Sequence, residues 1–154
     1  MDMNRLTEKS REALQSAQTM AVRHGHQEVD TPHLLSALLE AGDGLVPRLL
    51  VKLEVPLEPI RSALETEMGR RPRVSGSGAE AGKIYITQRL QQVLARAEDE
   101  AKRLKDDYVS IEHLVLALLE DGKDPAGQTL RQAGVDRLLE WVRKNEGLFA
   151  HFGS

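Results

Sequence analysis

The feature that most constrains this chain is that it contains itself twice. Displaced by eighty positions, the sequence aligns with itself without a gap from Thr7 to Val55. The densest stretch sets Val29–Glu40 on Val109–Glu120, and each of these segments carries a His-Leu pair, His33-Leu34 and His113-Leu114. Upstream, Thr7, Leu14, Ala17, Ala21 and Arg23 fall on Thr87, Leu94, Ala97, Ala101 and Arg103; downstream, Gly42, Leu50 and Val55 fall on Gly122, Leu130 and Val135. Such self-similarity is far above chance, so the fold must be assembled from two like units.

Each unit reads as helices. In the second, Ile86, Leu90, Val93, Leu94, Ala97, Ala101 and Leu104 recur at spacings of three and four, one apolar stripe of a helix. The first echoes it with Leu6, Ala13, Leu14, Ala17 and Ala21, ending at Gly25, a helix-stop residue. The next helix opens at Asp30-Thr31-Pro32, where either polar residue can cap it and Pro32 suits the first turn; Ser110 serves the second copy. These helices are expected to end at Gly42 and Gly122. Two shorter apolar segments follow in each copy, at 45–53 and 56–68, then at 127–133 and 136–144. The expectation is an all-α fold, a pseudo-two-fold tandem repeat of two four-helix units with about eight helices. Repeat one covers about 4–68, a Gly/Ser/Pro-rich linker loop about 69–85, repeat two about 86–146 and a tail 147–154, all in one domain over 1–154.

Charge and composition narrow the function. A net charge of −3 and 3% aromatic residues provide poorly for nucleic acid, which needs basic surface and stacking rings. No run approaches the length of a membrane span, and the amino terminus has no signal-peptide core, so a cytoplasmic setting is expected with no membrane partner. The absence of cysteine removes disulfides and the usual thiolate metal ligands.

Candidate chemistries fail on their own requirements. Gly82-Lys83 resembles the end of a phosphate-binding loop, but Ser77 stands where its first glycine belongs and Ile84 where its hydroxyl belongs. His24, His26 and His33 with Asp30 suggest a metal cluster. Only His33 recurs, as His113, so a packing role at the helix start is expected for these two, with no metal and no cofactor. Ser36 and Ser62 lie in helical stretches without a nucleophile elbow, and Asp106-Asp107 reads as a solvated helix end, so no enzyme is expected. Arg70, Arg71 and Arg73 read as a solubilising knot in the linker. What remains is a protein-binding surface, with a cleft between the repeats as the natural place for a peptide and the Ile86–Leu104 stripe as a candidate wall.

Arg5-Leu6-Thr7-Glu8-Lys9, the twin segments His33–Glu40 and His113–Glu120, and the middle section Ile86–Ser110 resemble the N-terminal domain of the Clp/Hsp100 ATPases, the double Clp-N repeat, and within it the ClpB branch. The resemblance spans about residues 4–143. It implies a substrate-recognition domain that captures unfolded or aggregated polypeptides for the ATPase modules of a parent disaggregase, or, in the ClpC and ClpA branches, docks adaptor proteins. By position it implies Thr7, Asp106 and Glu112 at a polar substrate-contacting face and Leu90 and Leu94 in an apolar groove. The ATPase modules themselves are absent from the sequence.

Overall fold

The computed structural model describes residues 3–41, 44–73, 85–120, 123–133 and 144. After a short 3-10 turn at Met3–Arg5, the elements are α1 (Glu8–Arg23), β1 (Glu28–Val29), α2 (Thr31–Glu40), α3 (Leu45–Lys52), α4 (Leu57–Gly69), β2 (Tyr85–Ile86), α5 (Gln88–Arg103), α6 (Ile111–Glu120) and α7 (Pro125–Gln132). The expected helix over 136–144 (Lys144 apart), Gly42, Gly122, most of the linker and the tail 147–154 lie outside the described residues.

The two repeats use the same local devices. Thr7 and Thr87 cap α1 and α5, each side-chain oxygen accepting a backbone N–H three residues on, from Ser10 at 3.2 Å and Leu90 at 3.1 Å. Both helices end through a left-handed residue. Gly25 (φ 72°) follows α1, and the eighty-shifted position after α5 is Lys105 (φ 61°). The same closing bonds are present in each, from His26 N–H to Ala21 C=O and from Asp106 N–H to Ala101 C=O. A left-handed turn is easy for glycine and costs a side-chain-bearing residue about 1 kcal/mol. Lys105→Gly is therefore expected to raise the unfolding free energy by roughly 0.5–1 kcal/mol, read as a higher urea midpoint at unchanged slope.

The core is one apolar cluster, and α2 and α6 are its axis. Every described residue of α6 from Ile111 to Leu119 is buried, as are all of α2 from Thr31 to Leu39 except Ser36, so beyond their polar first turns these helices are mostly apolar and enclosed by their neighbours. The wrapping crosses between repeats: α3 packs on α6 and α7 packs on α2, alongside the local pairs α1 with α2 and α5 with α6.

Two strand pairings tie the repeats together. β1 of repeat one pairs in parallel with β2 at the entrance of repeat two, Val29 opposite Ile86. The eighty-shifted counterpart is present too, Leu6 bridging Val109 in parallel. Backbone bonds repeat the symmetry, Thr87 N–H to Val29 C=O at 3.1 Å and Thr7 N–H to Val109 C=O at 3.0 Å. Each repeat thus holds the entrance of the other's first helix.

Candidate functional site

The second of these pairings assembles the candidate site. By fixing Leu6 and Thr7 against Val109, it sets the start of α1 beside the 104–110 turn and the first turn of α6. Asp106 and Glu112 come together there, and Thr7 is tied to the same turn through its backbone bond to Val109.

The site is organised by His113. Its Nδ1 accepts the Ser110 backbone N–H at 2.9 Å, which closes the start of α6 as a side-chain cap. Because Nδ1 is an acceptor, the neutral ring carries its proton on Nε2 and donates it to Asp106 Oδ2 at 2.8 Å. Asp106 is thereby oriented while staying half-exposed. Glu112 is 94% buried in the first turn of α6, where the helix dipole favours its charge, yet its Oε2 has no hydrogen-bond partner among the described residues. Donor atoms of Asp106, Glu112 and His113 lie within 4.8 Å of one another, a grouping that by distance could hold a cation. The tautomer argues against a metal ion, since coordination through Nε2 would require the ring to release the Ser110 N–H. Apolar surface lies alongside: Tyr108 and Met3 are 58% and 50% exposed.

Leu90 and Leu94 correct the expected groove. They are 0% and 6% exposed, so the α5 stripe packs toward the core in this structure. Leu90 also stands near the start of α5 and Asp106 just past its end, roughly 20 Å apart along the helix at 1.5 Å per residue.

A second polar cluster gathers His26, Asp30 and His33, named in the sequence, with two partners the sequence did not suggest, Arg71 and Thr87. His33 caps α2 as His113 caps α6, its Nδ1 accepting the Asp30 N–H at 2.9 Å, and its Nε2 meets His26 Nδ1 at 2.9 Å. Arg71, read as a solvated linker residue, is instead 19% exposed and donates to Asp30 Oδ2 at 2.7 Å. Burial alone would push the Asp30 carboxyl up, but the Thr31 N–H, the Thr87 hydroxyl and the Arg71 guanidinium outweigh it and hold the carboxyl below its ordinary value. Burial, then His26 and Arg71, push His33 down to about 4. The signal was available in the shift itself, which places His26 on Asp106 and Asp30 on Ser110.

An open groove of about 860 Å3 runs between α1, α2 and α4, lined by polar, charged and apolar residues including Glu12, Met20, Arg23, Glu40 and Arg61. No described helix is long and apolar enough to cross a membrane.

Comparison with known proteins agrees with this architecture. The Clp repeat (R) N-terminal domain family matches residues 5–133. Chaperone protein ClpB of Nitratidesulfovibrio vulgaris is 52% identical over 152 residues, covering 95% of this chain and 18% of the relative, so the chain spans under a fifth of that protein's length. Among solved structures, the Hsp104 N-terminal domain of Candida albicans superposes with a TM-score of 0.75 at 20% identity, covering 88% of this chain and 87% of that one. A complex of the ClpV N-domain with VipB peptide gives 0.65 at 19% identity, covering 77% and 70%. With the duplicated helical unit, its crossed strand pairs and these likenesses together, the chain belongs to the Clp repeat N-terminal domain family.

Proposed function

We propose that this domain is the substrate-recognition module of a ClpB-like, ATP-dependent disaggregase, capturing unfolded or aggregated polypeptide at the face formed by Thr7, Asp106 and Glu112. The observation that carries the reading is the buried Glu112 Oε2, without a hydrogen-bond partner among the described residues, beside the half-exposed Asp106. A carboxylate pair of this kind costs desolvation energy until a cation satisfies it. Tyr108 and Met3 add apolar contact next to it, so the favoured ligand is an extended segment mixing basic and hydrophobic residues. Affinity of one domain is weak, and multiple copies on a ring supply avidity. The cell compartment for such work is the cytoplasm, and the ATPase modules of the parent protein are the domain's other partner.

Titration of the labelled domain with an unfolded, non-aggregating casein tests this. Saturable shifts are expected at Thr7, Tyr108, Ser110 and Glu112, with Leu90 and Leu94 unmoved. Glu112→Gln should weaken binding about 3–10-fold, the equivalent of about 1 kcal/mol. Shifts confined to other surfaces would overturn the reading. A second reading is adaptor docking, favoured by the likeness to a ClpV N-domain that binds a defined peptide; stoichiometric binding of a folded partner with no response to casein is its signature.

A further inference from the structure

The eighty-residue shift also compares the far ends of the two central helices. Both α2 and α6 close on a glutamate, Glu40 and Glu120, and neither has a basic residue in its last turn. An acid there faces the negative end of the helix dipole, and a basic side chain on the last carbonyls relieves it. In repeat two the relief comes from two arginines. Arg96 of α5 donates from Nη1 to the Ala117 carbonyl at 3.3 Å, and Arg131 of α7 donates to the Leu119 carbonyl. In repeat one neither arginine has a counterpart. Ser16 stands at the place of Arg96, and Val51, 78% exposed, at the place of Arg131. The arginine that approaches the end of α2, Arg61 of α4, gives its hydrogen bonds to the Glu40 and Glu58 carboxylates.

The place of the first missing arginine borders open space. A cavity of about 190 Å3 shares Glu12, Ser16, Ala37 and Ala41 with the 860 Å3 groove between α1, α2 and α4. These residues mark where α1 faces the last turn of α2, and Ala37 is the position equivalent to Ala117. Glu12 lies one turn before Ser16, is exposed, and has no ion-pair partner among the described residues; its equivalent in repeat two is the neutral Gln92. Repeat two thus has the cation and no carboxylate at this place, and repeat one has the carboxylate and no cation. The smaller cavity also reaches Lys9 and Ile111, close in the chain to Thr7 and Glu112. A polypeptide held at the Thr7, Asp106 and Glu112 face has a path along α1 to the end of α2.

We propose that the last turn of α2 is a binding site for an arginine side chain of a bound polypeptide. Its guanidinium takes at the Ala37 carbonyl the place that Arg96 takes at Ala117, with Glu12 as counter-ion. A guanidinium offers five donors in a fixed plane, so one group serves a carboxylate and a helix carbonyl together; a compact, strongly hydrated ammonium fits such a pair less well. Repeat two carries in its own sequence the group that repeat one takes from its ligand. For the polypeptide nature of that ligand this rests on the preceding reading, whereas the arginine site does not.

An NMR titration of the whole labelled domain with N-acetylarginine amide, on wild type, Glu12→Gln and Ser16→Arg, tests it. Wild type should show saturable shifts at the Ser16, Ala37 and Ala41 amides. Glu12→Gln should weaken this binding about 3–10-fold through loss of one charged partner. Ser16→Arg, which gives repeat one the side chain of repeat two, should remove the response by filling the site from within. Both positions are exposed, so both variants should fold. Silence at these amides in wild type, or equal responses in wild type and Ser16→Arg, would overturn the proposal. Failure of the substrate-capture reading shows elsewhere, with casein, as silence at Tyr108, Ser110 and Glu112 whatever these variants do.

Discussion

Leu90→Ala should lower the unfolding free energy by about 3 kcal/mol, within the range for leucine truncation in a packed core. Leu90 is fully buried at the start of α5, a helix that packs on α6 and touches α2, so the methyl groups removed leave a void between repeats. Urea unfolding followed by circular dichroism measures it, with Val51→Ala as the control. Val51 is 78% exposed, and its truncation should shift stability by no more than about 0.5 kcal/mol. The pair of variants also decides the role of the α5 stripe. If Leu90 lined a groove open to substrate, its truncation would weaken casein binding while leaving stability nearly unchanged. A core residue produces the opposite pattern, a large loss of stability with the remaining folded protein binding as before.

Acidification should destabilise the domain before its carboxylates begin to titrate. His33 is neutral in the folded state because Nδ1 is committed to the Asp30 N–H, Nε2 faces His26, and Arg71 lies close by. Its folded value of about 4 lies below the ordinary 6.5, so the unfolded chain takes up the proton first. Stability is complete above pH 6.5, falls as pH drops from there toward 4, and levels once the folded protein is protonated too. The loss amounts to about 3 kcal/mol, at about 1.4 kcal/mol per pH unit. His26, also lowered by burial and by its neighbours His24 and Arg71, acts in the same direction. Asp124 opposes at the acid end, because burial raises its carboxyl and protonation relieves it. Asp30, held low, keeps its contribution until pH falls below the usual carboxylate range. Urea midpoints measured between pH 7 and pH 4 provide the test, and a flat profile over that interval would show that His33 accepts a proton in place.

The helical repeat was legible because helices announce themselves. The three-and-four spacing of Leu90, Val93, Leu94, Ala97 and Ala101 marks the buried face of α5, and all five are buried. The caps were legible too: Asp30 holds the start of α2 through the Thr31 N–H, with Pro32 in its first turn, and Gly25 ends α1 in the left-handed region. A structural role for the recurrent His33 and His113 is what the capping bonds show. The strands were not legible. Two residues such as Glu28 and Val29 carry no period, and their pairing is set by where the helices leave the backbone. Lys105 escaped notice because nothing in a lysine signals a left-handed turn; only its alignment with Gly25 does. For the candidate site, the closeness of Asp106 and Glu112 has no signal in their spacing, and the burial of Leu90 and Leu94 depends on which side of α5 meets α6. An apolar stripe looks the same whether a core or a ligand covers it. Arg71 was misread because an ion pair across 41 positions has no local signature.

The crossed strand pairs carry a consequence for the origin of the chain. A lone ancestor of about eighty residues would have had an entrance strand and a receiving strand and no way to join them to each other. Two such molecules, facing across a true two-fold axis, would have satisfied both at once, each lending its entrance to its twin. Fusion of two such copies in one chain would keep both pairings within one molecule and free the halves to diverge. Asp30 standing where the other repeat has Ser110, and Glu112 where the first has Pro32, show how far the two halves differ at equivalent places.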